Sequence, residues 1–80
     1  MQIPVLLFAS YADAFGATSI ELSLEPDATV ADLLARVKMM AAGAVLPPAP
    51  LVAVNQTFAA AGQRIRAGDE VALIPPVAGG

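Results

Sequence analysis

The 80-residue sequence contains no cysteine and no histidine, and it has a single lysine, Lys38. Without cysteine the chain has neither a disulfide framework nor a thiolate metal site. Nucleophilic catalysis would have to use a serine or Lys38, and nothing in the sequence brings a serine to that lysine. The seven acidic residues are scattered without metal-ligand spacing. We therefore expect no independent active site, no bound metal and no cofactor held by this chain.

Basic residues and long apolar runs are also scarce. The net charge is −3, and the four basic residues do not form the cluster that phosphate binding needs, so nucleic acid is not an expected partner. No apolar run approaches the roughly 20 residues that span a bilayer. The first residues lack the positive segment of a signal peptide, so we expect a cytoplasmic protein with no membrane partner.

Apolar residues are abundant instead, at 58% of the chain against 14% charged residues. A chain of this length forms one domain with a small core. We therefore expect part of its apolar surface to stay exposed and to contact a partner.

Alternating side chains predict the strands of this domain. Residues 3–9 are apolar on both faces, and residues 18–25 alternate cleanly, so the two segments are expected to pair across a connection at residues 10–16. Further strands are expected at residues 51–55, 57–59 and 71–74, with turns at Asn55-Gln56 and residues 67–69 and one helical turn near residues 63–65.

A helix is predicted from Thr29, because Asp32 follows three residues later as in a capping box. Its apolar stripe would comprise Val30, Leu33, Leu34, Val37 and Met40 or Ala41, with Gly43 as the C-cap. A proline-rich loop, residues 43–50, follows.

This element order predicts an α+β domain in which one main helix covers one face of a mixed sheet. The covered face should bury Ile3, Val5, Leu7, Ile20, Leu22, Val52, Val54, Val71 and Leu73. The other face keeps Leu6, Phe8, Phe58 and Ile74, which we interpret as a protein interface; the alternative is a loop folded over them. We assign residues 1–76 to the domain and residues 77–80 to a flexible tail.

The C-terminal tail carries a potential reactive group, the terminal carboxylate. Pro75 and Pro76 cannot continue a sheet, and Gly79 and Gly80 have no side chains, so the terminal carboxylate could enter a narrow channel of another protein. Joined to AMP from ATP, this carboxylate would become an acyl-adenylate, and attack by sulfide or a persulfide would give a thiocarboxylate. The simpler alternative is a frayed Gly-Gly end.

The chain resembles the ubiquitin-like β-grasp sulfur carriers, and among them the small subunits of molybdopterin synthase (MoaD). The resemblance lies in residues 5–10 and 29–34, and more specifically in Val-Ala-Val-Asn-Gln at 52–56 and in the last thirteen residues, which end Ile-Pro-Pro-Val-Ala-Gly-Gly. Where the family often has Arg-Glu after the first strand, this chain has Ala12-Asp13, so any contact of that arginine is missing or replaced.

The resemblance implies that a MoeB-like adenylyltransferase activates Gly80 with ATP and that Gly80 then becomes a thiocarboxylate. Val77, Ala78 and Gly79 would thread into a MoaE-like large subunit within a heterotetramer, where the sulfur converts cyclic pyranopterin monophosphate into molybdopterin. Phe8, Phe58, Ile74, Pro75 and Pro76 would contact that partner. Two alternatives stay open: a sulfur carrier for thiazole or cysteine synthesis, and a non-catalytic interaction module.

Overall fold

A computed structural model describes residues 1–40 and 50–75 of the chain. Its elements are β1 (Gln2–Leu7), α1 (Ser10–Phe15), β2 (Ser19–Ser23), α2 (Val30–Met40), β3 (Leu51–Val54), β4 (Thr57–Phe58) and β5 (Val71–Ile74). The strands form one sheet in the order β2-β1-β5-β3-β4. Neither helix of the described ranges is long and apolar enough to cross a membrane.

The sheet is mixed, as predicted. β1 pairs antiparallel with β2 and parallel with β5, while β3 pairs antiparallel with both β5 and β4. The last strand therefore lies in the middle of the sheet and is bonded on both sides. This arrangement, with α2 against one face, is the ubiquitin-like β-grasp fold that the sequence predicted.

One face of the sheet forms the core. Ile3, Val5 and Val71 are completely buried, and the side chains that alternate with them turn to the opposite face. All the residues predicted for the covered face are buried except Ile20, which is half-buried. The alternation in the sequence thus identified the buried face correctly.

The capping box at the start of α2 is present. The Thr29 N–H donates to Asp32 Oδ2 at 2.9 Å, and the Asp32 N–H donates to Thr29 Oγ1 at 3.3 Å. These bonds satisfy two of the amide groups that a helix start leaves unpaired. Val30, Leu33 and Val37 are buried and Leu34 is half-buried, as predicted, whereas Met40 is 46% exposed. Residues 41 and 43, the predicted last stripe position and C-cap, lie outside the described ranges.

Residues 10–16 connect β1 to β2 as predicted, but the sequence analysis missed that they contain the short helix α1. Gly16 ends this helix in a left-handed conformation (φ 65°), and its N–H bonds back to helix carbonyls. Tyr11 on α1 is fully buried in the core, and burial raises the pKa of its hydroxyl. β1 accordingly stops at Leu7 rather than at Ala9.

The helical turn predicted near residues 63–65 is also wrong. This segment is extended and forms an isolated bridge between Thr29 and Arg64. The Val30 N–H donates to the Gln63 carbonyl and the Ile65 N–H to the Ala28 carbonyl, both at 2.9 Å. These bonds hold Ile65 completely buried at the start of α2, where it closes one end of the core.

Candidate partner interface

The sheet face opposite α2 carries a continuous apolar surface. Leu6 and Ala53 both lie opposite Ala72, and Phe58 lies opposite Ala53, so these four side chains form one row across four strands. A second row contains Leu51 opposite Ile74. Residues in register share a face of the sheet, so we call these two rows, together with Phe8, the open face.

The open face is exposed at its rim and shallow at its centre. Phe58 is 68% exposed, Phe8 47% and Leu51 41%. The small side chains of Ala53 and Ala72 leave a concavity of about 320 Å³ between the larger ones, and Gln56 and Glu70 add a polar border. Aromatic residues around a shallow apolar depression are typical of a surface that receives a partner's side chains.

Phe8 is held at the end of β1 by its backbone. Its N–H donates to the Leu73 carbonyl at 3.3 Å, and its carbonyl accepts from the Tyr11 N–H at 3.1 Å. Ala9 then turns the chain with φ 49° and ψ −120°, a conformation that costs energy for any residue with a Cβ. This sharp turn ends the strand and leaves the phenyl ring beside Ile74 at the rim of the open face.

The hairpin between β3 and β4 fixes the position of Phe58. Asn55 and Gln56 both have positive φ angles, 52° and 70°, as the tightest two-residue hairpin turns require. The Asn55 side chain fastens this turn to the start of β5: its Nδ2 donates to Asp69 Oδ1, and its Oδ1 accepts from the Glu70 N–H, both at 2.9 Å. The edge strand that carries Phe58 is therefore tied to the central strand.

Asp69 also contributes to the hydrogen bonds that join the hairpin turn to the start of β5. The Arg66 N–H donates to Asp69 Oδ2 at 2.8 Å. This bond, then the bond from Asn55, and finally the nearby Arg66 charge hold the pKa of the Asp69 carboxyl below its usual value. Asp69 therefore closes a turn, whereas the neighbouring Glu70 borders the open face.

The open face brings together Phe8, Phe58 and Ile74, three of the five residues predicted at the partner contact. Pro75 follows Ile74 and is half-buried. Pro76, Val77, Ala78, Gly79 and Gly80, which include the predicted reactive terminus, lie outside the described ranges. The site prediction missed Leu51, Ala53 and Ala72, although their alternation with Val52, Val54, Val71 and Leu73 carries the signal.

Within residues 1–40 and 50–75, the structure groups no three acidic side chains closely enough to hold a metal ion. The open face itself presents one carboxylate, Glu70, and one amide, Gln56. Such a surface can bind another protein, but it offers no nucleophile beside a general base.

Comparisons with known proteins agree with this geometry. The sequence profile of the ThiS family matches residues 5–80. SAMP1 from Haloferax volcanii, a small archaeal modifier protein, is 31% identical, with all of both chains covered and a TM-score of 0.82. A protein assigned as molybdopterin converting factor subunit 1 from Pyrococcus furiosus is 24% identical over 96% of this chain and 99% of its own, with a TM-score of 0.79.

A third similar structure is a complex of subunits 1 and 2 of the molybdopterin-converting factor from Helicobacter pylori. It is 20% identical, with all of both chains covered and a TM-score of 0.68. At this identity the likeness concerns the fold, and it shows that a protein of this fold forms a complex with a second subunit. From the profile match over nearly its whole length, the chain belongs to the ThiS family of ubiquitin-like proteins, whose members are sulfur carriers of the ThiS and MoaD type or protein modifiers.

Proposed function

We propose that this chain is a sulfur carrier for molybdopterin synthesis, with the carboxylate of Gly80 as its reactive group. The observation that carries the proposal is the open face and its position beside the end of β5. Phe8 and Leu51 flank Ile74 at the point where β5 leads into Pro75 and the residues beyond. A partner that binds the open face is thereby placed next to the start of the tail.

The length of the tail suits this role. The four residues after Pro76 span at most about 14 Å when extended. Val77 and Ala78 are small, and Gly79 and Gly80 have no side chains. A partner bound to the open face could therefore receive the tail in a narrow channel that admits little more than a polypeptide backbone.

The chemistry begins with activation by a separate adenylyltransferase. A carboxylate oxygen of Gly80 attacks the α-phosphorus of ATP, pyrophosphate leaves, and an acyl-adenylate forms. Hydrosulfide then attacks the acyl carbon, the bond to AMP breaks, a proton is released, and Gly80 becomes a thiocarboxylate. No electrons are gained or lost in either step. The chain supplies the acyl group and the docking surface, while its partners supply ATP binding and acid–base groups.

Delivery follows on a large subunit of the MoaE type. The open face docks, the tail enters the subunit, and the thiocarboxylate sulfur attacks a carbon of cyclic pyranopterin monophosphate, from which an oxygen substituent leaves. Water then cleaves the resulting acyl–sulfur bond, so the sulfur stays on the pterin and a proton is released. Two such transfers give the dithiolene of molybdopterin. The loaded form of the chain is therefore consumed as a substrate, and Gly80 is regenerated as a carboxylate for the next cycle.

The test is a reconstitution with ATP, an activating enzyme and a sulfide source, followed by intact-mass analysis. We expect a mass gain that corresponds to one sulfur in place of one oxygen. Molybdopterin should then form when a large subunit and cyclic pyranopterin monophosphate are added. The matched control lacks Gly80 and should fold normally but gain no sulfur. An unchanged mass in the full-length chain would contradict the proposal and favour a simple interaction module.

A second candidate is a protein modifier, favoured by the 31% identity to the archaeal modifier over the full length of both chains. In that reaction a lysine amine of a target protein attacks the acyl-adenylate, AMP and a proton leave, and an amide bond forms at Gly80. The two functions share the activation step and differ in the nucleophile that follows it.

An affinity-tagged chain expressed in its own host separates the candidates. Ladders of higher-mass conjugates that disappear on removal of Gly80 would support the modifier. A single thiocarboxylated species, together with molybdopterin formation, would support the sulfur carrier. Sulfur loading without molybdopterin formation would point to a carrier for thiazole or cysteine synthesis.

A further inference from the structure

The outer edge of β2 is a second surface on this molecule, and no strand within residues 1–40 and 50–75 pairs with its backbone there. In the β1–β2 ladder, the Leu7 N–H donates to the Thr18 carbonyl at 2.9 Å, and the Leu24 N–H donates to the Met1 carbonyl at 2.8 Å. Hydrogen-bonded pairs alternate along an antiparallel ladder. The even-numbered residues of β2 therefore bond to β1, and the odd-numbered residues direct their N–H and carbonyl groups outward.

The outward groups belong to Ser19, Glu21 and Ser23, at an edge where no described strand pairs with them. Arg36 on α2 reaches the Ser23 carbonyl with its Nη2 at 3.4 Å. Among the residues that the structure describes, none bonds to the N–H groups of these three residues or to the carbonyls of Ser19 and Glu21. A row of outward N–H and carbonyl groups binds one kind of ligand, an extended polypeptide backbone that adds a strand to the sheet.

A groove runs along this edge between β2 and α2. At one end, Met39 and Met40 border the groove beside Glu21 and Leu22, and they are 75% and 46% exposed. An added strand would place every second side chain on the α2 side of the sheet, next to these methionines. Flexible, exposed methionines adapt to varied apolar side chains, so these positions of the occupant should be apolar.

The other end of the groove is acidic. It is lined by Glu25, Asp27 and Asp32, and Arg36 separates it from the methionine end. With Glu21, four of the seven acidic residues of the chain border the groove, against one cationic side chain, Arg36. This balance favours an occupant with basic side chains. It disfavours a second copy of the chain, because antiparallel pairing of two β2 strands centred on Glu21 would place like charges opposite each other.

We propose that the β2 edge binds an extended segment of a partner protein, with alternating apolar side chains and a basic end, as an added strand. The segment would extend the sheet beyond β2, at the edge opposite to β4 and Phe58. A partner could therefore be held here while the open face and the tail are engaged elsewhere. The proposal does not depend on whether the chain carries sulfur or modifies proteins.

The test uses a synthetic ten-residue peptide in which valine alternates with threonine and two lysines occupy one end. In an NMR titration we expect amide shifts at Ser19, Glu21 and Ser23, and slower amide exchange at these three positions in the complex. A peptide with the same lysines but proline at two central positions should bind at least about tenfold more weakly, since each proline removes a donor.

The matched protein variants are Glu21→Pro and Glu21→Thr. Because the Glu21 N–H faces outward, proline there removes a docking donor without breaking the β1–β2 ladder, and edge strands tolerate it. Threonine removes the same charge and keeps the N–H. We expect Glu21→Pro to reduce peptide affinity about tenfold relative to Glu21→Thr, with similar thermal stability for the two variants.

Three results would overturn the proposal. The proline peptide could bind as well as the parent peptide, the shifts could fall on Phe58 and Ile74 instead of β2, or Glu21→Pro could bind the peptide as Glu21→Thr does. Sedimentation of the peptide-free chain adds a fourth. A dimer that Glu21→Pro dissociates would show that the edge belongs to a second copy of the chain.

Discussion

The two faces of the sheet are built from alternate residues of the same strands, yet they differ in composition. The face under α2 consists of branched aliphatic side chains that are almost completely buried, such as Ile3, Val5 and Val71. The open face has alanines at its centre and two phenylalanines at its rim. The first composition fills a core, while the second leaves a depression that a partner can fill, so the contrast distinguishes residues for folding from residues for binding.

The largest effect is expected from a substitution in the covered face of the sheet. Leu33 is completely buried on α2, so Leu33→Ala should lower the free energy of unfolding by about 2–5 kcal/mol through lost burial and a residual cavity. Chemical denaturation measures this. Leu51→Ala, on the open face and 41% exposed, is the matched control and should change stability by less than about 1 kcal/mol. Equal losses in the two variants would show that the faces do not differ as described.

The next largest effect is expected from a substitution on the open face that leaves the core unchanged. Phe58→Glu places a charge at the most exposed large apolar position, and it should weaken binding to the large subunit by about 30-fold or more with little loss of stability. Titration calorimetry and thermal denaturation measure the two quantities. Thr57→Glu, on the same short strand, adds the same charge and should bind nearly normally. A large loss of thermal stability with normal binding would place Phe58 in the core.

A smaller effect is expected from a substitution in the hairpin turn that positions Phe58 on the open face. Asn55→Ala removes two hydrogen bonds to the start of β5 and places a Cβ-bearing residue without a local partner at φ 52°. We expect a loss of about 1–2 kcal/mol in unfolding free energy. Asn55→Gly removes the same bonds but tolerates the backbone angle, so it should lose less. If alanine and glycine cost the same, the side-chain bonds account for the whole effect.

The smallest effect is a dependence on pH. The folded-state pKa of Asp69 lies below its unfolded value, so the ionised carboxylate stabilises the fold above the unfolded pKa. That contribution should be lost as the pH falls below about 4 and through the folded pKa. Asp69→Asn should make stability less dependent on pH in this range, as measured by urea denaturation at several pH values. An unchanged acid dependence would show that Asp69 does not contribute to it.

The sequence predicted the two faces because each strand shows its alternation locally. In residues 18–25, Ile20, Leu22 and Leu24 alternate with polar residues, and this period of two needs no knowledge of neighbouring strands. The capping box at Thr29 was equally local. These signals lie within a few residues of one another, so they remain readable in a single sequence.

The errors occurred where the local signal is too short to recognise or where the structure depends on distant contacts. α1 has only six residues, too few for helical periodicity, and its N-cap is Ala9 in a strained conformation rather than a serine or aspartate whose side chain could cap it. Ile65 is extended because it bonds to Ala28, 37 positions earlier in the chain. The strand order, with β5 in the middle, likewise depends on pairing across the whole chain.

The central position of β5 has a mechanical consequence. A partner that pulls on the residues beyond Pro75 loads a strand that is bonded to β1 on one side and to β3 on the other. The load is shared in shear by both ladders, so the strand resists extraction better than an edge strand would. If partners bind the tail as proposed, this position of β5 lets the domain withstand traction without unfolding.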